Sequence, residues 1–476
     1  GVAHPSTDED LRELMRWAVE TGTALVPYGG GTTVAGHVTR PAGSGPTVTV
    51  AMDRLSAVLE VDPAAGLATF GAGIAGPALE AALGEQGSTL GHFPQSFEYS
   101  TLGGWIAARS SGQQSRGYGR IEDLFAGGHL ETPIGPLDLP SFPASAAGPD
   151  LRQVVLGAEG RLGFVTRATV RIAPTPEREI WLAFAVPDLE RGLAASRELA
   201  QARLPLSMIR LQTAPETRTT LALAGRPRTI ALVTRYLRWR GAGPERCLLI
   251  LAVTGRRRLV AAAGREVAGI VGRHDGIGLP RSFSQAWVAQ RFRSAYLRNA
   301  RWDAGYAVDT LETAAPWPAV PDLLATIAPS LRQGLSAEGE RVHAFTHLSH
   351  VYPSGSSLYT TYVFRLSDDP DRTLDRWARL KAAASAAIVA GGGTISHQHG
   401  VGRDHAAYLD VEKGAGGMAA LEGLVRTFDP KRILNPGALL GAAARAPDDE
   451  RIPAVPVRGR AQAQGRARPS MRRTAR

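Results

Sequence analysis

At 476 residues the chain is long enough for two or three domains with sizeable cores, and 44% hydrophobic with 21% charged residues is ordinary globular composition. A single cysteine, Cys247, excludes a disulfide framework and a cysteine-based zinc site, fits a reducing cytoplasmic location, and precedes Leu248, Leu249 and Ile250 as a buried strand thiol. No apolar run reaches the roughly 20 residues of a membrane span. Of the net charge of +10, seven arginines in the acid-free residues 457–476 leave only +3 elsewhere, so no nucleic-acid face is expected.

The chain opens directly at GVAHPSTDEDL, which leaves room for an upstream segment outside this sequence. Ser6-Thr7-Asp8-Glu9 reads as a Ser-x-x-Glu capping box, and Leu11, Leu14, Ala18 and Val19 then recur at helical spacing until Gly22. Residues 24–27 form a short buried strand that feeds Tyr28-Gly29-Gly30-Gly31-Thr32-Thr33. The spacing is not that of the Gly-x-Gly-x-x-Gly dinucleotide fingerprint, and no helical pattern follows. Three consecutive glycines still supply bare amides that suit a pyrophosphate, with a plain turn as the alternative. Residues 47–51 and 68–70 read as strands, and 76–83 as a helix with Leu79 and Leu83 on one face.

Residues 91–124 are crowded with Ser96, Ser100, Thr101, Gly103, Gly104, Ser110, Ser111 and Gly112. Small residues let backbone approach a ligand closely and expose amides to anionic oxygens. The run far exceeds the usual connection of about two to six residues. Yet Phe93, Phe97, Tyr99, Trp105, Ile106 and Tyr118 carry too much apolar surface for a solvated linker. A segment wrapped around a ligand is expected. Residues 134–139 then form a hairpin edge, and 150–155 lead into Gly157-Ala158-Glu159-Gly160 and Gly163. Residues 164–172 alternate as a strand with Phe164, Ala168, Val170 and Ile172 on one face, and Pro174 and Pro176 close the unit near 175.

From 180 to 367 the pattern becomes strands (181–186, 248–253, 342–347, 358–365) separated by helical stretches such as 188–202, which predicts an antiparallel sheet with helices on one face. Residues 217–242 are arginine-rich and weakly periodic and receive no assignment. A helix over 372–389, with Leu374, Trp377, Leu380 and Ile388 spaced for burial, ends at Gly391-Gly392-Gly393. A last helix spans 416–428, and DPKRILNPG stops it. The predicted fold is α+β in four parts: a binding domain over 1–175, a sheet domain over 176–370, a C-terminal segment over 371–445 returning to the site, and a basic disordered tail over 446–476.

Candidate chemistry gathers in Ser396-His397-Gln398-His399-Gly400. In an extended chain residues i and i+2 point the same way, so His397 and His399 would face one cavity. A metal site, a proton-handling pair and plain loop histidines remain open; metal is the weakest, because no set of acidic or cysteine ligands stands at defined spacing. Arg210, in Met208-Ile209-Arg210-Leu211, would be costly if unpaired. Arg298 shares a stretch with Arg291, Arg293 and Arg301; a guanidinium fork suits phosphate or carboxylate, with a structural salt bridge as the alternative.

Together, GHFPQSFEYSTLGGW with YGRIEDL, the 157–160 turn and the 396–400 run resemble, in order and spacing, the PCMH-type FAD-binding flavoproteins of the vanillyl-alcohol-oxidase superfamily. Within it the resemblance over about residues 4–440 is greatest to the alkyldihydroxyacetonephosphate synthases and their bacterial relatives. It implies a two-part FAD domain and an antiparallel cap domain. It also implies non-covalent FAD, since no histidine or cysteine stands where relatives attach it. The implied cofactor residues are Tyr28, Gly29, Gly30, Gly31, Thr32, Thr33, Pro94, Ser96, Ser100, Thr101, Gly103, Gly104, Ser110, Ser111, Gly112, Glu159, Gly160, Gly163 and Val165. His92, Tyr359, His397 and His399 are implied as catalytic, with Tyr359 removing a proton and Tyr352 and Tyr362 as rivals for that role. Arg210 and Arg298 are implied on the substrate's phosphate. Gln398 replaces the middle histidine of the family's triplet, and glutamine cannot take a proton at neutral pH.

The implied reaction exchanges the acyl group of acyl-dihydroxyacetone phosphate for a fatty alcohol through a flavin N5 adduct. The alternative is an FAD-linked dehydrogenase or oxidase of a 2-hydroxy acid (D-lactate, glycolate) or of glycerol 3-phosphate. No metal is expected. The expected partners are a small-molecule or lipid-like phosphate substrate, a membrane surface touched peripherally and a second copy in a homodimer, with no specific nucleic acid.

Overall fold

Helix Asp8–Thr21 opens the binding half. Its capping box lies one residue later than expected: Thr7 Oγ1 accepts from Asp10 N at 3.1 Å, and the Asp10 carboxylate accepts from Thr7 N and Ser6 N. Glu9 turns outward instead, to Arg12 and Arg16. Leu11, Met15 and Ala18 face inward, and Gly22 ends the helix with φ 66°. The structure is a computed structural model and describes residues 1–40, 43–223 and 227–441.

Strands Val2–Ala3, Thr47–Ala51 and Ala24–Tyr28 form a small parallel sheet with Thr47–Ala51 at its centre. Its outer edge is taken by the C-terminal segment, where Leu25 N donates to Ile433 O and Asn435 N to Leu25 O, each at 2.8 Å. An antiparallel sheet follows in the order Val58–Asp62, Leu67–Gly71, Phe164–Arg171, Phe125–Glu131, Leu137–Leu139. Strand Val58–Asp62 escaped the sequence reading because it is a largely exposed edge without clean alternation. Ile134, expected in the hairpin edge, lies in the turn before it and is exposed. Phe70, Leu79, Leu83, Trp105 and Ile106 fill the core beneath this sheet.

The second half is a seven-stranded antiparallel sheet. Its order is Ile277–Gly278, Arg178–Val186, Cys247–Gly255, Leu206–Gln212, His343–Leu348, Gly355–Arg365, Tyr306–Pro316. Alternation splits the central strands: Leu249, Leu251 and Leu211 pack with Leu199, Val260, Leu323 and Leu380 of four helices, Leu189–Gln201, Arg257–Arg273, Val320–Gln333 and Pro370–Ala390. Met208, Leu248 and Ile250 point the other way, towards Trp181 and Trp287. Strand Cys247–Gly255, buried on both faces, therefore reads as an unbroken apolar run. Burial pushes the Cys247 thiol up to about 12, so it is inert packing.

The arginine-rich stretch without an assignment forms helices Ala214–Leu223 and Pro227–Trp239. In Pro370–Ala390, Leu380 and Ile388 are fully buried but Leu374 is 60% exposed. Seven and eleven residues on, Lys381 and Ser385 are buried on the same side of the helix at about 100° per residue, so Leu374 is exposed by its place near the helix start and not by its direction. Trp377 instead donates through Nε1 to Asp309 Oδ2 at 2.7 Å. Among the described residues no helix is long and apolar enough to cross a membrane. The tail over 446–476 lies outside the described residues.

Asp309 is the charged centre of this half. Its Oδ2 accepts from Lys381 Nζ (3.1 Å), Trp377 Nε1 and the Tyr362 hydroxyl (2.9 Å), all buried or half-buried. Burial alone would raise this carboxyl, but the Lys381 cation and the hydrogen bonds from Trp377, Thr310 N and Lys381 together outweigh it and the net shift is downward. Removing one partner of a buried pair strands the other, at a cost of about 3–5 kcal/mol. Lys381→Met should therefore destabilise the protein by about 3–5 kcal/mol in urea unfolding; a loss under about 1 kcal/mol would show that Asp309 does not depend on it.

Candidate functional site

The loop that follows strand Ala24–Tyr28 lies directly on residues 99–101. A Cβ at Gly30 would fall inside the Tyr99 carbonyl, and one at Gly29 inside Thr101 Oγ1. Side chains are thus excluded where the two loops meet, and their backbone lines a cavity of about 1480 Å³. Of the residues that the resemblance implies for the cofactor, Gly29, Gly30, Gly31, Thr32, Thr33, Pro94, Ser96, Ser100, Thr101, Gly103, Gly104, Ser110, Glu159, Gly160, Gly163 and Val165 stand in its wall.

Three expected wall residues do not. Tyr28 is 38% exposed, its hydroxyl folded over Gly31. Gly112 packs against the Phe93 backbone. Ser111 lies behind the wall, where its hydroxyl donates to Ser115 Oγ at 3.1 Å and its N–H donates to Gln398 Oε1 at 3.2 Å. Glu159, at φ 54°, has its carboxylate engaged by Val401 N, Gly402 N (2.8 Å) and His37 Nε2 (3.1 Å). It clamps the C-terminal segment onto the binding half.

At the sheet end, Tyr359 sits in register with Glu312 on one neighbour and His347 on the other. Its ring stacks on His347 at 4.9 Å and meets His399 edge-on at 5.5 Å, and all three line the cavity. Burial chiefly pushes the Tyr359 phenol up. Arg210 lines the cavity too, with NH2 donating to Glu216 Oε1 at 2.9 Å and lying 3.2 Å from His347 Nδ1. His347 Nδ1 is also 2.9 Å from Glu216 Oε2. Burial and the Arg210 charge together hold His347 below its ordinary value.

Arg293, Arg298 and Arg301 line the same cavity from its outer end, and among the described residues none of the three makes an ion pair. Arg291 lies beneath them against rings, 4.8 Å over Phe292 and 5.5 Å over Phe93. The salt-bridge alternative fails for all four and holds for Arg210.

The histidine run is divided. Gln398 and His399 line the cavity, but His397 does not; the segment bends at residues 397–399, so the two-residue alternation of an extended chain does not apply. His397 is buried against Tyr352, whose hydroxyl is 2.6 Å from Nε2, and Arg120, whose NH1 is 3.3 Å from the same atom. Glu312 lies at the centre: its Oε2 accepts from Gln398 Nε2 at 2.6 Å, and its carboxylate is 3.3 Å from His397 Nδ1 and 3.8 Å from His399 Nε2. Sequence reasoning missed Glu312, His347, His350 and Glu216. The available signal for Glu312 was a second acid, three residues after Asp309, in the otherwise mostly apolar strand Tyr306–Pro316.

His92 is also displaced. It is fully buried on Trp105, with Nε2 3.2 Å from Ser110 Oγ, and does not line the cavity. Burial, then the Arg120 charge, pushes it down to about 3. It buttresses Ser110, which is in the wall, and does not itself face the cavity.

A family model described as FAD binding domain matches residues 1–136, and one described as FAD linked oxidases, C-terminal domain, matches 175–439. The chain belongs to the FAD-linked oxidases. It is an FAD-dependent enzyme, and the cavity fits that cofactor: its floor is bare backbone, and its volume exceeds the roughly 300–1,000 Å³ of a pocket for one small ligand. Among FAD-linked oxidases and their relatives it resembles alkyldihydroxyacetonephosphate synthase of Dictyostelium discoideum, at 30% identity over 92% of this chain and 73% of that one. A solved alkyldihydroxyacetonephosphate synthase matches with a TM-score of 0.75 and 27% identity over 91% of this chain and 75% of that one. The 4-ethylphenol oxidase of Gulosibacter chungangensis shares the fold, with a TM-score of 0.70 at 14% identity over 93% and 89%.

Two measurements test this geometry. Gly30→Ala forces backbone apart, an overpacking cost of about 1–3 kcal/mol, and should weaken FAD binding about tenfold or more in a fluorescence titration; unchanged affinity would remove Gly30 from the cradle. The depressed His92 value means its contribution to stability is complete above about pH 6.5 and shrinks as the pH falls towards 3. His92→Gln should therefore flatten the decline of Tm between pH 7.5 and 5, and an unchanged slope would refute the burial argument.

Proposed function

We propose that this enzyme exchanges the acyl group of acyl-dihydroxyacetone phosphate for a fatty alcohol, as the name of its synthase relatives suggests. The observation that carries this is one continuous cavity holding a backbone cradle, the Tyr359–His347–His399 cluster and three arginines that have no carboxylate partner among the described residues. Arg293, Arg298 and Arg301 suit a dianionic phosphate, for which a guanidinium fork is well matched. Arg210, already shared by Glu216 and His347, orients the cluster and adds positive potential. Leu221, Leu223, Ile230 and Phe283 supply apolar wall for a long chain.

FAD would rest on residues 29–33, 96–104 and 159–163, held without a covalent bond, and supplies an electron-accepting ring system there. His399 is held below its ordinary value, chiefly by burial, so it is neutral at pH 7 and able to take a proton. The Tyr359 phenol keeps its own proton and donates a hydrogen bond to the substrate oxygen, reversing the role expected from sequence. Helices Ala214–Leu223 and Pro227–Trp239 expose Leu223, Leu232, Tyr236 and Trp239 among Arg235, Arg238 and Arg240, beside the cavity wall. Such a surface suits a lipid interface that presents the substrate.

Acid precipitation should release FAD to the supernatant. Anaerobic mixing with an acyl-dihydroxyacetone-phosphate ester should perturb the flavin spectrum and give alkyl product with no external acceptor, whereas bleaching by D-lactate, glycolate or glycerol 3-phosphate would establish the dehydrogenase instead. Arg298→Gln should weaken binding of the phosphate ester about tenfold while leaving the flavin spectrum unchanged. The acid limb of the rate profile should fall below pH 6.5, since activity persists until His399 protonates at its lowered value.

A further inference from the structure

Of the two histidines beside Tyr359, His347 is held by a buried carboxylate. Glu216 Oε2 stands 2.9 Å from His347 Nδ1, and Glu216 Oε1 accepts from Arg210 NH2 at 2.9 Å. Burial alone would raise the Glu216 carboxyl, but His347 and Arg210 together hold it below the ordinary range, so it is ionised. An ionised carboxylate only accepts, so the ring nitrogen that faces it carries the proton of the neutral imidazole. Arg210 NH2, 3.2 Å from the same nitrogen, is then a second donor to that carboxylate.

The other ring nitrogen, Nε2, is left bare. It makes no hydrogen bond among the described residues, and the ring lines the cavity. Gln212, paired with His347 across the sheet, also lines the cavity, and its buried Oε1 has no hydrogen-bond partner among the described residues. A buried polar atom left unanswered marks a place for a ligand's polar group. An amide can present either of its atoms, so a hydroxyl placed here can accept an N–H from Gln212 and give its own proton to Nε2. Helix Ala214–Leu223, which carries Glu216, also supplies Leu221 and Leu223 to the cavity wall, so an alkyl chain on that hydroxyl finds apolar surface on the same helix.

We infer that Glu216 and His347 form a dyad that takes the proton of the incoming alcohol. The inference rests on the exchange proposed above, which releases one proton for each ether formed. As the alcohol oxygen bonds to the carbon that the carboxylate leaves, the alcohol O–H breaks, and the carboxylate departs with the electron pair of its broken C–O bond. The proton goes to His347 Nε2, and the resulting imidazolium is answered by Glu216 until it gives the proton to water as products leave. Burial and the Arg210 charge, which lower the proton affinity of His347, favour that release.

The first test needs no substrate. In the FAD-bound enzyme labelled with ¹⁵N-histidine, the His347 resonances, assigned by their loss in His347→Gln or their shift in Glu216→Gln, should show a protonated Nδ1 and a bare Nε2. An Nε2–H tautomer would overturn the dyad whatever the reaction proves to be. With the phosphate ester and a fatty alcohol, His347→Gln should slow turnover about hundredfold and leave the ester-induced change in the flavin spectrum intact. Much of that loss should be recovered with a long-chain alcohol fluorinated next to its hydroxyl carbon, which is more acidic and needs less help from a base. Equal losses with both alcohols would mean that His347 only shapes the site, and the dyad would fall. If His347→Gln does not fold, Glu216→Gln carries the same comparison, with a loss of about tenfold expected for the ordinary alcohol. If the wild-type enzyme turns over no ester, the proposed exchange fails and the alcohol role with it, while the tautomer still decides whether Glu216 sets the proton of His347.

Discussion

The Glu159 carboxylate holds two parts of the chain together that are some 240 residues apart in sequence. It accepts from the backbone N–H groups of Val401 and Gly402, and its own carbonyl accepts from Asn435 Nδ2 at 2.8 Å. A buried carboxylate that accepts backbone amides is strongly bound to its position. Because His397, Gln398 and His399 stand immediately before those amides, the clamp sets where the histidine run meets the cavity. The edge pairing of Leu25 with the 433–435 segment works to the same end. Chemistry at the sheet end and backbone at the cradle end share one cavity because the chain returns there.

Charge is distributed unevenly around this cavity. In the interior Asp309 is answered by Lys381, Arg210 by Glu216, and Glu312 by Gln398, Ser349 and two imidazoles. At the outer end Arg293, Arg298 and Arg301 have none among the described residues. Interior pairing is what the cost of desolvation demands. Unanswered cations on a wall can persist only near water, and there they raise the local concentration of an anionic ligand.

Most of the cradle was legible in the sequence because its signal is compositional. A run of glycines and hydroxyl residues can be recognised without knowing which way any side chain points. Strands Cys247–Gly255 and Phe164–Arg171 were legible for a related reason, since burial on two faces and on one face leave different periodicities. The catalytic end was less so. His397 and His399 are separated by a local bend that alternation cannot reveal, and His92 is hidden by packing on Trp105. Glu312 reads as an ordinary polar strand residue until its neighbours across two strands are known. Helix Ala214–Leu223 buries Glu216 and Thr217 rather than an apolar stripe, so no hydrophobic period marks it.

Gln398 links the two halves through opposite ends of one amide, Nε2 to Glu312 and Oε1 from Ser111 N–H. An imidazole could span the same gap, but it would add a fourth beside a carboxylate that already faces His350, His397 and His399. With glutamine there, the bridge carries the same charge at every pH the protein survives, and the protonation microstates around Glu312 that histidine could create are halved. Glutamine at this point is a fixed strut and not a proton carrier, leaving the charge of the site to be set by fewer groups.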